Sequence, residues 1–130
     1  MTKFLKYLLC LGCLIFVNCH ISENEIIGNY IGSYKTNIDS LKILDNGNYE
    51  RLIYDRYKNK IFSNKSNYEI KNGSVIFHDF LLNEDDLSST FKYSSKDLTI
   101  ANLPYEWTIS GIKINSNYDL EFFYIKQKKK

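Results

Sequence analysis

The chain has 130 residues, 44% hydrophobic and 15% aromatic, and carries 17 Lys+Arg against 15 Asp+Glu. A formal charge of +2 lacks the basic surplus on which phosphate binding relies, so no nucleic-acid partner is expected. The length suits one small domain with its own core, able to bury roughly 65% of the surface its unfolded chain exposes.

All three cysteines, Cys10, Cys13 and Cys19, fall in the stretch LLCLGCLIFVNCH at positions 8–20. Lys3 and Lys6 precede an apolar run from Tyr7 to Val17, which ends at Asn18. The run is short of the roughly 20 apolar residues that a spanning helix needs, and a charged start followed by a short apolar stretch is the layout of a signal peptide. Zinc needs about four ligands in a folded frame. Cys10-x-x-Cys13 has no second such pair, and His20 and His78 are the only histidines, so neither a metal site nor a cofactor is expected.

The end of the run, LIFVNC, resembles the lipobox of bacterial lipoprotein signal peptides. The resemblance implies a signal peptide at 1–18 and lipid attachment at Cys19, with palmitate among the acyl chains. Asn18 stands where the motif usually has a small residue; Cys13, preceded by Gly12, is the alternative. Residues 19–27 then read as a tether, in which Ile26 and Ile27 already approach the domain. Glu23 and Glu25 resemble the acidic export signals of some lipoproteins, and the expected location is the cell envelope, at the outer membrane. Without Lys3 and Lys6 the remainder has 15 basic and 15 acidic residues.

From Gly28 onward short alternating runs recur between turn signals, which predicts an all-β domain over 28–126 and a basic tail at 127–130. GNYIGSY places Tyr30, Gly32 and Tyr34 on one face. SLKIL places Leu41 and Ile43 inward, with Ser40 and Lys42 outward. Asn46-Gly47 and Asn72-Gly73 read as tight hairpin turns with positive φ, the second linking Tyr68 and Ile70 to Val75 and Phe77. Further strands are expected at TFKYS (90–94), DLTIA, EWTIS and IKIN. In YDLEFFYIK, Tyr118, Leu120, Phe122 and Tyr124 share a face. Asn115 to Asn117 and Gly111 read as turns, and Pro104 as a loop or an edge.

About eight to ten short strands with hairpin links suit an antiparallel meander closed as a barrel, or folded as a sandwich. Gly28-Asn29-Tyr30 and LKILDNGNYE resemble the first strand and the first hairpin of small lipocalin-like bacterial lipoproteins, with Tyr30 where that group has Trp. The resemblance loosely covers 28–126 and implies an up-and-down barrel; it carries over no ligand.

Candidate chemistry is sparse. His78 and Asp79 are adjacent on a strand and so point to opposite faces, which rules out a dyad. His78 is expected on the face of Ile76 and Phe80, hydrogen-bonded and partly buried. Asn83 to Asp86 cluster three carboxylates without the spacing of a calcium loop. Arg51 and Arg56, beside Glu50 and Asp55, read as ion-pair partners on the exposed face. No phosphate loop, nucleophile elbow or metalloprotease motif occurs, so no catalytic residue is assigned. The expected role is that of a non-enzymatic, lipid-anchored binding or structural barrel, with a small apolar ligand or an envelope protein as partner. The alternatives are a protein-binding module, such as an inhibitor, immunity-type protein or subunit of an envelope complex, and a hydrolase or metal site around His78.

Overall fold

The structure is a computed structural model that describes residues 21–33, 36–82, 92, 94–119 and 121–128. The leader 1–18, Cys19, His20, Tyr34 and Asn83 to Asp86 lie outside the described residues, as does most of 90–94. Lys92 and Ser94, the described members of that last stretch, are not in a strand.

A short helix α1 (Glu23–Ile26) leads into eight strands: β1 (Gly28–Gly32), β2 (Ile38–Ile43), β3 (Asn48–Tyr54), β4 (Lys60–Lys71), β5 (Ser74–Leu81), β6 (Leu98–Thr108), β7 (Gly111–Asn117) and β8 (Phe122–Lys126). Each strand pairs antiparallel with the next, and β8 returns to β1, so the meander closes as a barrel. Closure gives each strand a hydrogen-bonded neighbour on both sides, over part or all of its length.

The alternation read in SLKIL holds in the barrel, and β3 alternates in the same way. Tyr30, Leu41, Ile43, Tyr49 and Ile53 turn inward with 0–1% exposure, while Lys42 faces solvent. Phe77, Phe80, Ile112, Ile114, Phe122 and Tyr124 complete most of the core from the opposite wall. At Asn72-Gly73 both residues have positive φ, 52° and 74°, and Lys71 pairs with Ser74, which is the tight two-residue hairpin expected.

The Asn46-Gly47 turn differs. Only Gly47 has positive φ, at 78°, while the Asn46 side chain accepts from the Asn48 amide at 3.1 Å. The side chain closes that turn where a second left-handed residue was expected.

Other boundaries moved for identifiable reasons. The polar stretch 60–67 is the first part of β4, which pairs with β3 through Asn67 and then with β5 from Tyr68 onward. DLTIA and EWTIS are one strand, β6, running through Pro104. Pro104 sits opposite Ser74 at the end of the β5 pairing, and β7 takes over at Tyr105, so the missing donor falls where β6 changes partner.

Asn115 to Asn117 belong to β7 and not to a turn. The turn follows them, and Glu121, with φ 52°, breaks the alternation, so Phe122 and Tyr124 are buried but Tyr118 is exposed.

The segment read as a tether does more than connect. Ser22 caps α1, with its amide donating to the Glu25 carboxylate at 2.7 Å, and Ile21 and Ile26 join the core. The Tyr30 hydroxyl donates to the Ile26 carbonyl at 2.6 Å, which ties the helix end to β1. In an up-and-down barrel the turns alternate between ends. The turns after β2, β4 and β6 therefore lie at the α1 end, and those after β1, β3, β5 and β7 at the far end.

Candidate functional site

Toward the far end the barrel holds a charge where an apolar layer would be expected. Asp39 and Arg51 point inward because each alternates with core residues, Asp39 with Leu41 and Ile43, and Arg51 with Tyr49 and Ile53. Arg51 stands opposite Leu41 and Asp39 opposite Ile53, so the two meet on the diagonal.

Their geometry is bidentate, with Arg51 Nε 3.1 Å from Asp39 Oδ1 and Nη2 2.7 Å from Oδ2. Arg51 Nη1 donates to the Leu81 carbonyl, and the Tyr124 hydroxyl donates to Asp39 Oδ2 at 2.9 Å. The guanidinium lies over the Phe80 ring, 4.2 Å from its centroid. The side chains of Arg51 and Asp39 are each 1% exposed.

The expectation of Arg51 as an ion-pair partner on the outer face is overturned. Position within β3 outweighs the charge of the residue, and Glu50 instead pairs with Lys65 across β4 at 2.7 Å. Arg56 does lie outside, over Tyr57 at 4.8 Å. Asp55 is buried and not on the exposed face. Its carboxylate closes the β3–β4 turn by accepting from the Tyr57 and Asn59 amides at 2.8 and 2.9 Å and from Asn59 Nδ2 at 3.0 Å.

A second polar knot fixes β5. A bulge between Phe77 and Phe80 gives Asp79 a φ of 49° and leaves both phenylalanines inward, so His78 does not share a face with Phe80 as expected. The Tyr49 hydroxyl donates to the His78 carbonyl at 2.6 Å, and Asn64 Nδ2 donates to the Asp79 carbonyl. His78 is half-buried with Nε2 3.1 Å from Glu69 Oε1, and Asp79 accepts from Ser66 at 2.8 Å. The adjacent pair is thus directed to two different neighbours.

Burial governs the ionisation of these groups. It pulls the Arg51 guanidinium toward losing its proton, but the Asp39 carboxylate overcomes this and holds it above its usual range. Burial pushes Tyr49 up to about 12, against the pull of Arg51 and Asn64. Burial likewise raises Tyr124 well above its ordinary value. These hydroxyls keep their protons far from the neutral range in which a general acid or base works. Every buried side-chain polar atom among the described residues has a partner.

Aromatic rings fill the space around the knot, with centroid distances of 4.9 Å for Tyr49–Phe77, 5.1 Å for Phe77–Phe80 and 5.2 Å for Phe122–Tyr124. No family model, curated protein or solved structure matches the chain. Among the described residues no three His, Cys, Asp or Glu side chains gather as a metal site.

The surface offers more than the interior. At the α1 end a largely apolar groove of about 430 Å³ runs between α1, the β6–β7 turn and the end of β8, lined by Glu25, Trp107, Ile109, Ile112, Lys126 and Lys128. Ile109 is fully exposed and Trp107 46% exposed. Toward the far end Ile38, Tyr57, Leu82 and Tyr118 are exposed. None of these surface residues belongs to a motif. Ile109 and Trp107 carry the one signal that was available, an apolar pair beside a Ser-Gly turn.

Proposed function

We propose that this chain is a lipid-anchored protein of the bacterial cell envelope, attached to the outer membrane through Cys19, and that its barrel is a non-enzymatic binding or structural head. The observation that carries the reading is the polarity of the barrel. Ile21, two residues after Cys19, is packed in the core, and a span of two residues covers at most about 7 Å. α1 plugs the same end with Ile21 and Ile26. Anchor and closed end then coincide, and the far end, with Tyr57 and Tyr118 in its turns, is the one offered to the surroundings.

Between the two partner classes, an envelope protein met by the far-end turns is favoured over a small apolar molecule held inside. Tyr30, Tyr49, Phe77 and Tyr124 have 0% exposure, so no water-sized space adjoins them. The non-enzymatic reading draws support from the Asp39–Arg51–Tyr124 knot, whose polar atoms face one another and not solvent.

Two measurements test this. Labelling with radioactive fatty acid is expected to mark the wild type and to spare Cys19→Ala; equal labelling of both would refute the anchor site. Native mass spectrometry of the protein extracted from membranes is expected to show no stoichiometric small apolar molecule, and finding one would overturn the preference for a surface partner.

A further inference from the structure

We infer that the α1 end of the barrel rests on the bilayer, with the β6–β7 turn and Trp107 seated among the lipid headgroups, so that the domain stands in one orientation and does not swing from its lipid. The inference rests on the anchor proposed above and adds a second contact with the same membrane.

Three observations meet at this end. The first is where the chain enters. Ile21 is 8% exposed and Ile26 0%, so the packed core reaches to within two residues of the proposed anchor and leaves little slack in which the domain can move away from the surface.

The second is the composition of the β6–β7 turn. Tight turns favour Gly, Asn, Asp and Ser, yet this one carries Ile109 at its tip with the side chain fully in solvent, and Trp107 beside it at 46% exposure. A tryptophan combines an apolar ring with one N–H donor and favours the zone between hydrocarbon and water. Within the turn the Thr108 hydroxyl donates to the Gly111 carbonyl at 2.8 Å, so the apolar tip is held on a fixed scaffold.

The third is the frame of the groove. Lys126 Nζ donates to the Glu25 carbonyl, joining the end of β8 to α1, and Lys128 stands exposed next to it. Glu23 and Glu25 on α1 offset these two cations locally, so the contact depends on the apolar tip more than on charge. A bilayer is the occupant that fits, because it is the one apolar phase that the proposed anchor brings to this end of the barrel. A second copy of the chain would need the same groove to pair with itself while both anchors stay in the membrane.

Trp107 is the only tryptophan in the chain and reports on its own environment. The protein extracted from membranes is reconstituted into vesicles of phosphatidylcholine and phosphatidylglycerol, with or without bromine on the acyl chains, and read by sedimentation and Trp emission. The expected result is sedimentation with the vesicles, a blue-shifted emission and strong quenching by the brominated lipid. Protein that sediments but shows equal emission in both lipids overturns the inference and leaves the anchor standing. Protein that stays in the supernatant overturns both.

Ile109→Asp, which alters an exposed side chain and no core contact, is expected to sediment as before and to lose most of the quenching. Burial of an isoleucine side chain corresponds to roughly a tenfold or larger change in partition. Unchanged quenching in this variant refutes the role of the tip. A blue shift that appears without vesicles and grows with protein concentration would point to a second copy and likewise overturn the inference.

Discussion

Replacing Arg51 with Met tests whether the buried knot is a structural device. The substitution removes the charge that faces Asp39 across two hydrogen bonds, 3.1 and 2.7 Å long, at 1% exposure, and takes away a donor to the Leu81 carbonyl. Asp39 keeps the Tyr124 hydroxyl as a partner, but its carboxylate loses the guanidinium. Breaking a buried ion pair from one side costs about 3–5 kcal/mol, because the remaining ion still bears its desolvation. The lost stacking on Phe80 adds about 0.5–2 kcal/mol. Against a total stability of roughly 5–15 kcal/mol, Arg51→Met is expected to lose a large part of its stability.

The double variant Asp39→Leu/Arg51→Met removes both charges. It is expected to recover at least about 2 kcal/mol relative to Arg51→Met, since apolar replacement of a whole buried pair is often neutral. Urea unfolding followed by circular dichroism measures both, with an unchanged m-value as the check on two-state behaviour. A cost below about 1 kcal/mol for Arg51→Met, the value of a surface pair, refutes the reasoning. So does a double variant no more stable than the single one.

The raised tyrosines give an alkaline limit. Tyr49 is pushed from 10.0 to about 12, with Tyr30 and Tyr124 also raised by burial. The folded state then holds protons that the unfolded state has lost. Their stabilisation is complete below about pH 10 and declines as pH rises toward 12, by about 1.4 kcal/mol per unit for each such group. The last part of the phenolate absorbance should appear together with loss of circular dichroism; complete ionisation of all eleven tyrosines with the fold intact contradicts this.

Gly32→Ala is expected to cost about 1–3 kcal/mol, because a Cβ there would stand 3.0 Å from Asp39 Cβ and from Phe122 Cε2, in a packed wall. Asp55→Ala is expected to speed hydrogen exchange at the Tyr57 and Asn59 amides, which lose their acceptor. Unchanged protection at both would mean that the backbone alone holds the β3–β4 turn.

The barrel was legible because its two most informative signals are local. Alternation in SLKIL fixed which of its side chains turn inward, and Asn72-Gly73 fixed a hairpin. Arg51 was misread because charge was weighed as a surface marker in isolation. Its position in Tyr49-x-Arg51-x-Ile53 already placed it on the core face, and only its diagonal partner Asp39, from another strand, makes that placement tolerable.

The first part of β4 escaped notice since its inward residues after Phe62 are Asn64 and Ser66, which serve the β5 bulge and not an apolar core. Bulges are long-range accommodations, so the reversal at His78 had no local sign. The groove at the α1 end was equally hidden, because it assembles α1, β6, β7 and β8 from three distant parts of the sequence.

Closure of β8 on β1 bears on how the protein is made as well as on how it stands. Tyr30 pairs with Lys126 and Gly32 with Tyr124, so the first strand of the barrel waits for the eighth. Until then the meander has two bare edges, at β1 and β7, each a template for pairing with another chain. Late, non-local pairing of this kind slows folding. Docking of β8 on β1 is therefore the step that closes the fold and takes both edges out of reach of other copies.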